Sequence, residues 1–303
     1  MKVGLVMPID DESLGHIPSY RELRDLARQA EANRLDSIWV FDHLLFRFPD
    51  QPQSGIHECW TILAALADAT ERVELGTLVM CTAFRPAAML AKMAAALDVV
   101  SDGRLVLGLG TGWHEPEFRA FGYPFHERVG RFQDALTIIT GLLRDGHVDH
   151  HGRYETADDC ALIPAPTRRI PVLVAARGPR MLRLTAAHAD AWNAAWFGVP
   201  DERLAGRRAD LEAACTAVGR DPATLGVTVG VAVRYPDLVA GITPGTVPPG
   251  PSTPALGGSA TEVAAGLRAH AAAGAEHVIV DLQPPTPAAL DRLAEAVALF
   301  RAA

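Results

Sequence analysis

The sequence predicts a (β/α)8 TIM barrel, an α/β fold in which eight parallel strands are each followed by a helix. Three observations carry this reading. Strand-like and helix-like segments alternate eight times along the 303 residues, the arithmetic of such a barrel. No strand segment has the polar face of an open-sheet edge, which weighs against a doubly wound sheet. Reactive and aromatic side chains gather where strands end, the rim on which barrel active sites are built.

Taken in order, apolar, β-branched runs bounded by turn residues give strands at Val3–Met7, Ser37–Phe41, Val73–Val79, Leu105–Leu109, Val172–Ala175, Ala191–Ala194, Gly226–Val233 and His277–Leu282. Helical periodicity and end signals give helices at about Tyr20–Ala32, Glu58–Ala69, Ala87–Val100, Val129–Leu143, Pro179–His188, Asp201–Val218, Ala260–Ala273 and Pro287–Arg301. Pro86 opens the third helix and Asp102-Gly103 stops it. Ser259-x-x-Glu262 is a capping box before the seventh. Two stretches break the alternation. Asp145–Ile163 reads as a short hairpin inserted before strand five. The proline- and glycine-rich Asp237–Gly258, after strand seven, reads as a long irregular loop on the active-site side, best explained as a lid.

Composition narrows the function. Half the residues are apolar, enough for one large core, so residues 1–303 are expected to form a single domain. A net charge of −8 and a pI near 5.8 argue against nucleic-acid or anionic-membrane surfaces. No apolar run reaches the ~20 residues that span a bilayer, and Met1-Lys2 leads into a strand without a signal peptide. Cys59, Cys81, Cys160 and Cys215 are scattered, as expected of thiols in a reducing cytoplasm. Abundant alanine and arginine with little lysine suggest a bacterial source.

The strand exits carry the chemistry. Strand two runs into Asp42-His43, strand four into Gly110-Thr111-Gly112-Trp113-His114-Glu115, and strand five into Ala176-Arg177-Gly178-Pro179-Arg180. Strand six runs through Trp192-Asn193 to Trp196-Phe197, and strand eight into Asp281 and Gln283; Trp60 follows the strand-two loop. An imidazole at position 43 can exchange a proton near neutral pH; the alternative is a loop histidine satisfied by backbone. Gly108-x-Gly110-x-Gly112 would let a flat ligand approach the backbone. It resembles a dinucleotide or methyltransferase glycine turn only weakly, because it follows strand four and no acidic second strand comes after it. Ala175–Arg180 offers helix N–H groups and two guanidiniums to a phosphate, or is an ordinary βα turn. His147, Asp149, His150 and His151 read as a solvated turn, and no metal site is expected.

Together these residues resemble the bacterial luciferase-like monooxygenase superfamily, in the branch that uses coenzyme F420. The phrases are SIWVFDHL (37–44), ECWTILAALADATERVELGTLVMCTAFRP (58–86), AKMAAALDVVSDGRLVLGLGTGWHEPEFRAFG (91–122), VLVAARGPRMLRLTAAHADAWN (172–193) and GGSATEVAAGLRAHAAAGAEHVIV (257–280). The resemblance implies a luciferase-like barrel that binds F420, or alternatively FMN, at its carboxyl mouth. It implies that Asp42 and His43 border the ring, and that Leu78–Val79, joined by a non-prolyl cis peptide, supports the ring's back face. Met80, Cys81 and Thr82 would line the tail, Gly110, Thr111, Gly112 and Trp113 the ring edge, and Ala176, Arg177, Gly178 and Pro179 the phosphate. Two departures stand out. Trp113 replaces the glutamate of relatives that oxidise sugar phosphates, and Arg177-Gly178 replaces a common Gly-Gly.

The reading that follows is an oxidoreductase moving hydride between F420 and a small, largely apolar substrate. His43 would donate a proton or orient the ring, Asp42 would position the site, and Trp60, Trp113, His114, Trp196 and Phe197 would wall the substrate. The alternatives are an FMN-dependent monooxygenase using O2, a non-catalytic flavin or F420 binder, and, requiring an open sheet, a methyltransferase. The resemblance also implies a homodimer.

Overall fold

Parallel neighbours need a crossover between them, and helices supply it here. The computed structural model describes residues 1–11, 14–238 and 254–302. In it β1 (Lys2–Val6) leads to α1 (Tyr20–Ala32), and β2 (Ser37–Val40) to α2 (Cys59–Ala69). β3 (Glu74–Thr77), with its short continuation β4 (Met80–Cys81), leads to α3 (Ala87–Val100). β5 (Leu105–Gly110) is followed by α4 (Glu115–Phe121) and α5 (Arg128–Asp145), then by the antiparallel hairpin β6 (His147–His151) and β7 (Thr156–Ala161). β8 (Val172–Ala175), α6 (Pro179–His188), β9 (Ala191–Phe197), α7 (Glu202–Ala217) and β10 (Gly226–Arg234) continue the alternation. β11 (Leu256–Gly257), α8 (Ala260–Ala272), β12 (His277–Gln283) and α9 (Pro287–Arg301) complete it. The parallel order is β10-β12-β1-β2-β3-β5-β8-β9, and β9 pairs back to β10, so eight strands close into a barrel. The open-sheet alternative, and the methyltransferase with it, is excluded.

The differences from expectation have local causes. The third strand, expected over Val73–Val79, stops at Thr77 because the Leu78–Val79 peptide is cis, and pairing with β5 resumes at Met80. β9 extends beyond Ala194 to Phe197, with a register shift against β10 and a second non-prolyl cis peptide at Ala195–Trp196. α4 was not expected; Pro116 occupies its first turn and Gly122, at φ 79°, ends it. The histidines of the inserted hairpin lie in strand β6, not in a turn, and pair with Asp159, Asp134, Asp149 and Asp158. Residues 239–253, most of the expected lid, lie outside the described residues; at its ends are a 3-10 turn at Pro236–Leu238 and the short β11. Ser259 and Glu262 form the capping box of α8. Among the described residues no helix is long and apolar enough to cross a membrane.

The barrel's interior follows from the period-two alternation of its strands. Trp39, Leu173 and Ile279 fill the lumen with Val6, Leu78, Val79 and Val106 around them. The Trp39 ring is admitted by missing side chains: a Cβ on Gly76 would overlap it, and one on Gly4 would stand 2.7 Å from its Nε1. Below it, Trp39 Nε1–H donates to Ser37 Oγ at 2.7 Å, and Ser37 Oγ lies 2.8 Å from His277 Nε2. Burial pushes the His277 imidazole down to about 3, helped by Lys2 and the chain's amino terminus, so it is held neutral.

Two outcomes follow. Gly76→Ala, which crowds Trp39, is expected to destabilise the fold by about 1–3 kcal/mol, read as a lowered thermal midpoint. His277 has a folded pKa below its unfolded value, so its stabilising contribution is complete above about pH 6.5 and falls with acid. The loss is about 1.4 kcal/mol per pH unit until the folded value is passed. Urea titrations of wild type and His277→Gln between pH 7 and pH 5 should show the flatter profile in the variant.

Candidate active site at the mouth of the barrel

The carboxyl ends of the strands open onto a cavity of about 310 Å³, within the range of small-molecule sites. β1 and its exit contribute Val6, Met7, Pro8 and Asp10, and the exit of β2 contributes Phe41, His43 and Phe46. Leu78 stands at the back, Trp113 and Trp196 enter from the β5 and β9 sides, and Asp281–Gln283 with Pro285 close the β12 side.

Alternation sends Asp42 and His43 to opposite sides. Asp42 is buried and turns away from the cavity. Its carboxylate accepts hydrogen bonds from Arg85 Nη1 (2.6 Å), Arg85 Nη2 (3.2 Å), the Cys81 backbone N–H (3.0 Å) and the Cys59 thiol (3.3 Å). Arg85 also reaches Glu58, which caps α2. Although burial opposes it, Asp42 holds the Arg85 guanidinium more firmly protonated than usual, while burial and Asp42 push the Cys59 thiol up. This clamp ties the β2 exit to β4, to the 3-10 turn Thr82–Phe84 and to α2. The geometry makes Asp42 a positioning residue, and its partner Arg85 carries no signal in the sequence.

His43 faces the cavity. Its Nδ1–H donates to Glu117 Oε1 at 2.9 Å, and the Leu44 N–H donates to Glu117 Oε2 at 2.8 Å. Glu117 is fully buried. A carboxylate receiving both bonds fixes the imidazole tautomer, leaving His43 Nε2 as the atom that can take or give a proton. The His43 ring packs 4.6 Å from Phe46 and 5.5 Å, edge-on, from Trp113. Trp113 is 57% exposed, so a ligand covering it gains burial. Glu117 is not among the expected site residues; Pro116 with Glu115 and Glu117 around it, a helix-start pattern, is the sequence signal that places it in the first turn of α4.

Other expected residues fall elsewhere. The glycines in and just after β5 do not open space for a ligand. A Cβ on Gly108 would collide with the Thr77 carbonyl, one on Gly110 would stand 2.6 Å from Val79, and one on Gly112 would meet Phe118 and Cys81. Their lack of side chains serves the chain's own packing. Met80 is buried in the main core, Cys81 packs with Phe84 and Phe118, and Thr111 Oγ1 bonds the Gly112 carbonyl. Trp60 and Phe197 are core residues and do not line the cavity. His114 is buried behind the site, where its Nε2 accepts the Arg47 N–H at 3.0 Å; burial lowers its pKa. The Ala176 carbonyl accepts the Trp192 indole N–H. Arg177 and Arg207 both donate to the Ala195 carbonyl, at 2.7 and 3.2 Å. Gly178, at φ 76° with open space where a Cβ would stand, precedes Pro179 at the start of α6, which no side chain caps.

Asp281 adds an acidic edge to the mouth. Gln283 Nε2 donates to its Oδ2 at 2.9 Å, and Gln283 Oε1 accepts from Arg234 Nε at 3.0 Å. Burial, then the nearby Asp10, pushes the Asp281 carboxyl up to about 6.

The luciferase-like monooxygenase family model matches residues 1–237. An F420-dependent glucose-6-phosphate dehydrogenase of Amycolatopsis mediterranei is 34% identical over 165 residues, 52% of this chain and 48% of that protein. The pyrimidine monooxygenase RutA of Cronobacter turicensis is 31% identical over 205 residues, 63% of this chain and 53% of that one. The chain thus spans about half the length of these curated relatives. A solved F420-dependent secondary alcohol dehydrogenase, in complex with an F420–acetone adduct, superposes with a TM-score of 0.80 over 99% of both chains at 20% identity.

The clamp generates a prediction. Asp42→Ala leaves Arg85 buried without its main partner and is expected to cost about 3–5 kcal/mol. Replacing both, Asp42→Leu with Arg85→Met, should cost less. Equilibrium denaturation of the single and double variants checks the order.

Proposed function

The chain belongs to the luciferase-like monooxygenase family, and on that premise we propose that it is an oxidoreductase passing hydride between coenzyme F420 and a small, largely apolar organic substrate. The observation that carries this reading is the His43–Glu117 pair, which leaves one defined proton site on an aromatic-walled cavity. The residues present fit a planar cofactor with a phosphate-bearing tail. Leu78 offers an apolar back wall to a ring. The uncapped start of α6, the open space at Gly178 and the exposed Arg177 offer donors to an anion.

When bound, F420 supplies the hydride chemistry; the protein orients the substrate and manages its proton. Phe41, Phe46, Trp113 and Trp196 exclude water from the reacting face. His43 Nε2 gives a proton to, or takes one from, the substrate oxygen or nitrogen as hydride moves, and Glu117 stabilises the imidazolium that proton uptake creates. Asp42 acts through the backbone, holding the β2 exit in place. A homodimer in a bacterial cytoplasm belongs to the same proposal.

The similarity to a pyrimidine monooxygenase supports a second reading, reduced FMN with O2 on the same scaffold. Parallel fluorescence titrations with F420 and FMN separate them. Tight F420 binding with weak FMN binding and no oxygen consumption supports the proposal. The reverse preference, with oxygen uptake, replaces it by the monooxygenase. His43→Gln is expected to lower turnover ~100-fold or more with cofactor affinity little changed. Unchanged turnover would remove His43 from the chemistry, and binding without any turnover in the wild type would indicate a non-catalytic binder.

A further inference from the structure

We propose that the mouth selects a small amine, bound as its ammonium ion, and that Asp281 is the residue that recognises it. This rests on the mouth being the active site and goes further by naming a substrate class.

Three features carry the inference. The first is direction. Ile279 lies in the luminal cluster, so alternation along β12 brings Asp281 and Gln283 to the same luminal side one layer higher, and both line the cavity. The second is charge. Asp10 and Asp281 line the cavity, whereas no lysine or arginine does. A phosphate or carboxylate on a substrate would meet the Asp281 carboxylate and no lysine or arginine in the lining, whereas an ammonium meets complementary charge. The third is the wall. Phe41, Phe46, Trp113 and Trp196 line it, and aromatic rings attract organic cations.

The surroundings leave Asp281 able to act. Gln283 is oriented by Arg234, whose Nε can only donate, so the amide must turn its NH2 to Asp281 Oδ2. Among the described residues that neutral hydrogen bond is the one Asp281 receives, and Arg234, held by Gln283, acts on it through its charge. A carboxylate has about four lone-pair sites, so acceptor capacity remains for an N–H of a ligand. Asp10 has interactions of its own. The charged and titratable groups around Asp281 are Asp10 beyond β1, Arg234 at the end of β10, and His43, backed by Glu117, across the cavity. The raised carboxyl pKa of Asp281 adds a direction: recognition should strengthen as the pH rises through about 6.

The test uses the whole protein with three probes of one shape: cyclohexylamine, cyclohexanol and cyclohexanone. Binding is read from tryptophan fluorescence, without turnover. At about pH 8 the wild type is expected to bind the amine at least about tenfold more tightly than the alcohol or the ketone. Asp281→Asn should lose that preference, and the wild-type preference should shrink below pH 6 while the variant's stays flat. Equal binding of the three probes, or an undiminished preference in Asp281→Asn, overturns the proposal. A preference for the alcohol that survives low pH overturns it in favour of a neutral hydrogen-bond donor. Thermal unfolding and F420 and FMN titrations of the same variant complete the set. Lost cofactor binding with intact probe selectivity would place Asp281 at the cofactor and overturn its role here. A wild type that binds neither cofactor but selects the amine would fail the hydride reading alone.

Discussion

A closed parallel barrel leaves each strand residue two directions, into the lumen or out toward the helices, and the rest of this molecule depends on that constraint. It places Trp39, Leu173 and Ile279 in one luminal layer. Two residues further along, it brings Phe41 and Asp281 to the mouth. It also explains how adjacent residues of similar polarity have opposite roles. Asp42 turns outward into a buried ion pair with Arg85, and His43 turns inward to the cavity. The site's chemistry is the top layer of the same packing that makes the core.

The outward and inward networks meet around the β2 exit. Asp42 holds the Cys81 N–H and the Arg85 guanidinium, fixing the end of β4 against that exit. Glu117, from α4 on the far side of β5, holds His43 and the next backbone N–H. The loop bearing His43 is therefore gripped from two elements, and a proton-transferring side chain needs such a grip to keep its geometry through a reaction. His114 extends it: buried and neutral, it accepts the Arg47 N–H and sits against Phe46 and Phe48.

Much of the fold was legible because its signals are local. Apolar runs, Pro86 before α3, Pro179 at the start of α6 and the Ser259–Glu262 box all act within one turn of where they stand. The resemblance also located the cis peptide at Leu78–Val79. What stayed hidden depends on contacts between distant residues. The Asp42–Arg85 pair spans 43 positions and the His43–Glu117 pair 74. Neither spacing has a sequence signature. The glycines of β5 show the converse: Gly108 and Gly110 look like a ligand cradle, but their space is taken by Thr77 and Val79. Trp60 and Phe197 were drawn to the site by residue type, although alternation and helix facing bury both in the core.

Three carboxyl groups differ in their environments, Asp42 and Glu117 buried and Asp281 half-buried at the mouth, and those environments explain what each can do. A carboxylate removed from water must recover its lost solvation from partners. Asp42 recovers it from a guanidinium, a backbone amide and a thiol, an arrangement too complete to leave capacity for a ligand. Glu117 recovers it from an imidazole N–H and a backbone N–H, so its charge is available to stabilise a protonated His43 and little else. Asp281 has one neutral amide, with Asp10 nearby opposing its ionisation. Of the three, it is the carboxyl group whose solvation is least replaced by the protein and the one that lines the cavity. The residual demand for a positive partner therefore falls on whatever enters the mouth.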